Sequence, residues 1–218
     1  MEEHKDYKRL FEYMKSFPGI GKRQAERFVY HILTKDSFWV EGFVDEIKRA
    51  RNQVHECLDC FRIFKNPFNE KFDKCEICRS QLKDRTILAI VEKNIDAESF
   101  LQKTSFQGLV FILGGNIPVI EKKNRARVRL EELLKFIQKL SQENNNLKEI
   151  IICNSLNPDG IFTAGIIYQK IKELIENNKL NKIKITTFGR GFSTGTELEY
   201  ADKDTLLNAL QNRSENIF

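Results

Sequence analysis

The chain has 218 residues, of which 41% are hydrophobic and 31% are charged, a composition typical of a globular protein with one moderate or two small domains. Its formal net charge of +5 permits a polyanionic partner without requiring one. No apolar stretch is longer than a strand, so we expect no membrane span. Residues 1–10 include seven charged or histidine residues, so we also expect no secretory signal, a cytoplasmic location and reduced cysteines.

Two helices joined by a glycine turn are predicted at the N-terminus. Apolar residues recur at helical spacing from Tyr7 to Met14 and again from Ala25 to Leu33. Between them, Gly19 and Gly21 flank Ile20, which lets the backbone turn sharply and leaves its amides bare. Those amides lie at the positive end of the second helix, where a phosphate group is readily bound.

Basic residues follow this turn directly. Lys22, Arg23 and Arg27 are expected on or near the solvent face of the second helix, within reach of a nucleic-acid backbone. The string Pro-Gly-Ile-Gly-Lys resembles the helix-hairpin-helix motif of proteins that bind DNA phosphates without sequence preference. We therefore predict DNA contacts from Gly19, Gly21 and the three basic residues. The alternative is an ordinary interhelical turn beside a solvated charged face, because Gly-x-Gly alone is a weak signal.

A third helix is predicted from Phe38 to Val54, and it leads into a cysteine module. Two Cys-x₂-Cys pairs with fourteen residues between them supply the four thiols Cys57, Cys60, Cys75 and Cys78. Each pair presents two thiolates on one side of a tight turn, and two pairs complete a closed tetrahedral site for one structural Zn²⁺. Four unligated thiols are the alternative, and His55 is a further candidate ligand that the complete quartet does not need.

From Ile87 onward, strand-length apolar runs alternate with helical patterns, which predicts an α/β region with a parallel sheet. The predicted strands are Ile87–Val91, Leu109–Leu113, Ile150–Cys153 and Ile183–Phe188, and the predicted helices are Ala97–Lys103, Arg125–Leu140 and Thr163–Glu176. Ligand sites gather at the carboxyl ends of parallel strands, so Glu92 and Asp159 are candidates for a Mg²⁺ site. Acids at strand ends are also common on any surface, and that alternative stays open.

Several motifs match one known family in order and position. Residues 90–96, Ile-Val-Glu-Lys-Asn-Ile-Asp, match the opening of the Toprim domain, a Mg²⁺-associated fold of topoisomerases and primases, and the match adds Asp96 to the acids. Residues 106–108 and 113–115 match the region of the second strand. Residues 191–202 are similar to a C-terminal signature, Gly-x-x-x-Gly-x-x-Leu-Glu-Tyr-x-Asp. Together with the hairpin and the four cysteines, these motifs resemble the RecR family of bacterial recombination mediators over nearly the whole chain.

The resemblance implies a multidomain α+β protein with four regions. These are a helix-hairpin-helix region at residues 1–54, a Cys₄ zinc finger at 55–80, a Toprim α/β domain with about four parallel strands at 81–190 and a C-terminal helical segment at 191–218. It implies a non-enzymatic mediator of recombinational repair that binds double-stranded and gapped DNA and assembles into a tetrameric ring. RecO-like and RecF-like partners are implied, with Glu92, Asp96 and Asp159 serving partner docking or an ion site.

Departures from the family pattern bear on the alternatives. Ile161 stands where the family has the second acid of Glu-Gly-Glu, which counts against Mg²⁺ at that edge. The basic stretch from Lys122 to Arg129 is either a charged surface helix or a second DNA contact. Arg190 matches a basic position of the family and is expected to face a phosphate. The competing function is a Mg²⁺-dependent enzyme, primase-like or nuclease-like, that uses Glu92 and Asp159. A third is a protein adaptor whose hairpin does not bind DNA.

Overall fold

The computed structural model of the chain describes residues 7–65, 73–120, 128–142, 147–177, 180–189, 191, 195 and 197–212. The helices are α1 (Lys8–Lys15), α2 (Lys22–Leu33), α3 (Ser37–Gln53), α4 (Glu76–Arg79), α5 (Asn94–Thr104), α6 (Leu130–Gln142), α7 (Pro158–Glu176) and α8 (Lys203–Gln211), with a 3₁₀ turn at Leu198–Tyr200. The strands are β1 (Val54–Glu56), β2 (Ile63–Lys65), β3 (Asp84–Val91), β4 (Gly108–Ile112), β5 (Glu149–Cys153) and β6 (Lys184–Thr187). No helix of the described ranges has the length and apolar character to cross a membrane.

The chain divides into two compact units. The first contains α1, α2 and α3 up to Val54, with a short segment that begins at Lys65. The second contains His55 to Phe64 and the remainder of the chain. The cysteine module and the large sheet therefore lie in the same unit.

In the first unit, α2 packs through a narrow apolar face. Ala25 and Val29 of α2 are fully buried, and the hydroxyls of Tyr7 and Tyr30 lie 3.1 Å apart. The third helix begins where Asp36 accepts a hydrogen bond of 2.8 Å from the backbone N–H of Trp39, a regular N-cap. All three predicted helices are present, with ends within a few residues of the expected positions.

The second unit is built on a four-stranded sheet in the order β4-β3-β5-β6. Every neighbouring pair is parallel, and the end of β3 at Val91 lies opposite Ile112 on one side and Cys153 on the other. Because side chains alternate along a strand, Leu88 and Ala89 of β3 enter different cores on the two faces of the sheet. The predicted parallel sheet and C-terminal helix are confirmed.

Some element boundaries differ from the sequence-based prediction. The strand β3 begins at Asp84, three residues earlier than expected. Helix α7 begins at Pro158, because proline suits the first helical turn and Asn157 caps it by accepting a 2.8 Å bond from the Gly160 N–H. Helix α6 begins at Leu130, and the part of its predicted start that falls on residues 125–127 lies outside the described residues.

Candidate metal and nucleic-acid sites

The glycine turn before α2 has the backbone conformation that the sequence suggested. Gly19 has a φ of +78°, in the left-handed region that glycine adopts most readily. The Ile20 N–H donates to the Phe17 carbonyl at 3.1 Å, and Gly21 is extended and accepts from the Ala25 N–H at 3.0 Å. Among the described residues, no protein acceptor bonds the N–H groups of residues 21–24. These first-turn amides are therefore open to an external anion.

The basic side chains beside this turn are equally open. Lys22, Arg23 and Arg27 are exposed, and none forms an ion pair or hydrogen bond within the part of the chain that the structure describes. Two exposed cations of α3 behave differently, since Lys48 pairs with Asp45 at 3.1 Å and Arg49 pairs with Glu46 at 2.9 Å. The structure thus brings the predicted cations next to the free amides, an arrangement that can hold phosphate oxygens without reading bases.

The four predicted cysteines converge on one point. Their sulfur atoms all lie within 4.8 Å of one another, and each residue is 5% exposed or less. A tetrahedral ion with Zn–S bonds of about 2.3 Å would place its sulfur ligands about 3.8 Å apart, and the Sγ atoms of Cys60 and Cys75 are 3.6 Å apart. Within the described ranges, this is the only group of three or more potential metal ligands of the His, Cys, Asp and Glu types, and it does not include His55.

The acidity of these thiols fits a bound cation. Hydrogen bonding with Cys60 lowers the pKa of Cys57, whereas hydrogen bonding with Cys57 raises the pKa of Cys60. The thiols are thus close enough for the ionisation of one to depend on the protonation of its neighbour. A dication that coordinates all four sulfurs would displace the protons and neutralise most of the resulting charge. The donor set therefore fits a soft divalent ion in a closed site.

The cysteine module is fastened to the large sheet. Arg62 is buried, and its guanidinium donates to Glu98 of α5 at 2.7 and 3.0 Å and also to Glu76. Burial alone would lower the pKa of Arg62, but the two carboxylates outweigh it and raise that pKa. The Cys60 carbonyl accepts a bond of 2.9 Å from the N–H of Ile112. The module therefore belongs to the same compact unit as the large sheet.

Glu92 lies at the carboxyl end of β3, as predicted, and it is only 8% exposed. Its Oε1 accepts a hydrogen bond of 2.5 Å from the backbone N–H of Ser155, which follows β5. Burial would raise the pKa of Glu92, but hydrogen bonds from Ser155 and Asn116 outweigh burial and lower it. Glu92 therefore carries its negative charge at neutral pH, at the point between the two central strands where ligands of parallel sheets bind.

The other two predicted acids serve separate backbone contacts. Asp96 accepts a bond of 2.9 Å from the Lys93 N–H and caps the start of α5. Asp159 accepts a bond of 2.9 Å from the Val119 N–H. Among the described residues, these acids and Glu92 form no three-ligand cluster of the kind that the cysteines form.

Sequence reasoning missed the amides and hydroxyl around Glu92. The Asn154 Nδ2 donates to the Asn116 Oδ1 at 2.7 Å, and the Asn116 Nδ2 donates to the Ser155 hydroxyl at 3.3 Å. Their positions in the sequence could have identified them. Asn154 and Ser155 directly follow a predicted strand, and that strand ends at the same edge of the sheet as the strand before Glu92.

The basic stretch before α6 is only partly described. Arg129 bonds Glu56 at 2.5 Å, and its guanidinium lies 4.8 Å from the centre of the Phe61 ring. This cation therefore contacts the cysteine module. The other basic residues of the stretch, at positions 122, 123, 125 and 127, lie outside the described residues, as does Arg190.

Comparison with known proteins gives a consistent result over the length of the chain. A family model described as Toprim domain matches residues 86–184, and one described as RecR, C-terminal matches residues 193–214. A protein named Recombination protein RecR from Limosilactobacillus reuteri is 30% identical over 207 residues, which cover 95% of each chain. Proteins of the same name from Ureaplasma urealyticum and Endomicrobium trichonymphae are 29% identical over 213 residues and 27% identical over 215 residues. They cover 98% and 99% of this chain and 98% and 100% of their own lengths.

Proposed function

This chain belongs to the RecR family of recombination proteins, and we propose that it acts in recombinational DNA repair as a non-catalytic mediator that binds DNA through phosphates. The turn before α2 supports this function best. It combines open amides at residues 21–24 with the cations Lys22, Arg23 and Arg27, which form no ion pair within the described ranges. Such a site holds any duplex or gapped DNA, because phosphates are the same in every sequence.

We propose Zn²⁺ as the ion of the cysteine cluster, one ion per chain. The four sulfurs are buried, lie within 4.8 Å of one another and leave no place for a water or substrate ligand in a tetrahedral arrangement. When bound, Zn²⁺ would cross-link the two Cys-x₂-Cys turns, which is a structural role. The module holds Arg62 against α5, so the ion also stabilises the position of the α/β domain's first helix.

We propose that several copies assemble, as a tetrameric ring, through the apolar face of α3. Trp39, Phe43, Val44 and Ile47 are each between 37% and 53% exposed, and they lie on one side of the helix. Trp39 stacks on Phe43 with ring centres 5.3 Å apart, which makes a continuous apolar surface. A second copy would cover this surface. Weak phosphate contacts from each copy would then add through their high effective concentration, so a net charge of only +5 suffices.

The acidic edge of the α/β domain is proposed to dock partner proteins of the RecO and RecF type. Glu92 is ionised and held by Ser155, and Asp96 and Asp159 lie in the first turns of α5 and α7, the helices that follow β3 and β5. Carboxylates fixed at one edge attract a basic partner surface and orient it. This is the proposed function of these acids, in preference to a catalytic metal site.

The DNA-binding proposal is tested by two matched double variants. Lys22→Ala with Arg23→Ala removes unpaired cations of the hairpin, whereas Lys48→Ala with Arg49→Ala removes the same charge from paired cations of the same unit. Fluorescence anisotropy on two unrelated duplexes should show a loss of about tenfold or more for the first variant on both. Equal behaviour of the two variants would refute the assignment of the hairpin.

The buried, ionised Glu92 is the observation that favours the enzyme alternative. Labelled gapped DNA incubated with the protein, Mg²⁺ and nucleotides separates the two functions. We expect neither cleavage nor incorporation above background. Turnover that is present in the wild-type protein and absent in Glu92→Gln would replace the mediator proposal with phosphoryl transfer.

A further inference from the structure

A cleft of about 360 Å³ lies between α7 and the strands β5 and β6, next to the acidic edge. Ile161 and Tyr168 of α7 line one side, and Ile185 and Phe188 line the other. The walls are therefore largely apolar, with aromatic rings contributed from both sides. The volume falls at the small end of the range for ligand pockets and suits one aromatic ring system better than an extended molecule.

A glycine keeps this cleft open. Gly165 lies in the interior of α7, where glycine lowers helix stability relative to other residues. A Cβ atom at this position would meet no other atom within 4 Å, so helix packing does not require glycine here. Its side chain would point into open space, and the residue lines the cleft. The glycine thus leaves room that a larger residue would fill.

One residue that lines the cleft carries a buried, unused acceptor. Asn154 lines the cleft and is 8% exposed. Its Nδ2 is bonded to Asn116, but its Oδ1 has no hydrogen-bond partner within the described part of the chain. A buried acceptor without a donor costs free energy, which a ligand with a single N–H group would recover.

Among the described residues, two acids lie next to residues that line the cleft. Ser155 lines the cleft, and its backbone N–H binds the carboxylate of Glu92. Asp159 precedes Gly160, which also lines the cleft. Lys93 is a cation close enough to favour the ionised form of Glu92 and to lower its pKa. A ligand that carries phosphate would meet repulsion here, whereas a lysine or arginine would be attracted.

We infer that, within the proposed scaffold role, this cleft binds a partner protein segment that inserts one tryptophan side chain flanked by a basic residue. The indole ring fills the space beside Gly165 and contacts Tyr168 and Phe188. Its single N–H donates to the Asn154 Oδ1, and the basic residue lies near Glu92. Tryptophan combines a large apolar surface with one donor, which is the chemistry that these walls and this acceptor require.

Tryptamine is a suitable probe, because it carries an indole ring with its N–H and an ammonium group. Saturation-transfer NMR on the full chain should show saturable binding of tryptamine. Indole-3-propionate, which has the same ring and a carboxylate, should bind about threefold more weakly. Gly165→Leu should abolish tryptamine binding while the thermal midpoint stays at or above that of the wild type. Gly42→Leu is the matched control, since Gly42 also lies inside a helix with open space around its Cβ position, and it should retain binding.

Three results would overturn the inference. Tryptamine could fail to bind, it could bind Gly165→Leu as well as the wild type, or adenosine monophosphate could bind this cleft more tightly than tryptamine. The last result would make it a nucleotide site. The affinity of Gly165→Leu for duplex DNA is measured in parallel and should be unchanged. A result that refutes tryptophan binding in the cleft can therefore be distinguished from one that refutes DNA binding.

Discussion

The backbone N–H of Ile112 donates a hydrogen bond of 2.9 Å to the carbonyl of Cys60. This bond joins the end of β4 to the second cysteine of the first Cys-x₂-Cys turn. The next residue, Phe61, has a φ of 60°, and its ring packs edge-on against Phe111 with centres 5.6 Å apart. The first Cys-x₂-Cys turn and the end of β4 are therefore held in place by contacts with each other. A change in the position of one is expected to move the other.

Loss of the metal should consequently destabilise the sheet as well as the module. We expect about one zinc per wild-type chain, and Cys75→Ser should lose the metal and unfold at a lower urea concentration. The measurement is metal content together with urea unfolding followed by far-ultraviolet circular dichroism. Cys153→Ser changes a cysteine outside the cluster and should keep its zinc. A zinc-free Cys75→Ser protein that unfolds like the wild type would show that the cluster is not structural.

Replacing Arg62 should lower the stability of the protein more than replacing an exposed cation does. Arg62→Met leaves Glu98 and Glu76 without their shared partner. Because those carboxylates are partly exposed and regain water, we expect a loss of about 1–2 kcal/mol rather than the full cost of breaking a buried ion pair. Arg49→Met, which breaks the exposed pair with Glu46, should cost less than about 0.5 kcal/mol. Equal losses for the two variants in urea unfolding would contradict the proposed clamp.

The left-handed glycine of the hairpin gives a separate prediction for the first unit. Gly19→Ala places a Cβ at a φ of +78° and should cost about 1 kcal/mol of stability. It should also weaken DNA binding, because the following amides shift. Gly42→Ala is the control for stability, since Gly42 lies inside α3 of the same unit, where alanine is favoured, and no atom lies within 4 Å of the added Cβ. Thermal unfolding in which both variants behave alike would mean that the turn does not depend on Gly19.

Glu92 should make stability depend on pH in the acid range. Its folded-state pKa is lowered, so the folded protein favours the carboxylate more than the unfolded chain does. That contribution is complete above the ordinary glutamate pKa of about 4.3 and is lost as pH falls through the lower folded-state pKa. Urea unfolding from about pH 6 to about pH 3 should therefore show the difference between wild type and Glu92→Gln shrinking in acid. A constant difference would mean that the Ser155 contact does not favour the charged form.

Periodicity and spacing predicted much of this molecule. The long helix α3 and the apolar strand β5 were found because their patterns repeat over enough residues to be read locally. The cysteine cluster followed from the Cys-x₂-Cys spacing alone, since each pair forms its own turn and two turns suffice for one ion.

Other features depend on contacts between distant residues and had no local signal. Strands β1 and β2 have three residues each, and α4 has four, too few to show a period. The clamp from Arg62 to Glu98 joins residues 36 positions apart, and nothing near either residue indicates its partner. Asn154 was passed over because its role arises only where β5 and β3 end side by side.

The salt dependence of DNA binding tests the central claim most directly. We expect the logarithm of the binding constant to fall linearly and steeply with the logarithm of salt concentration, with the same slope for two unrelated duplexes. Lys22→Ala with Arg23→Ala should reduce that slope by about two for each copy in contact with the DNA. Absence of binding in dilute buffer, or a slope that the double variant leaves unchanged, would contradict phosphate binding by the hairpin.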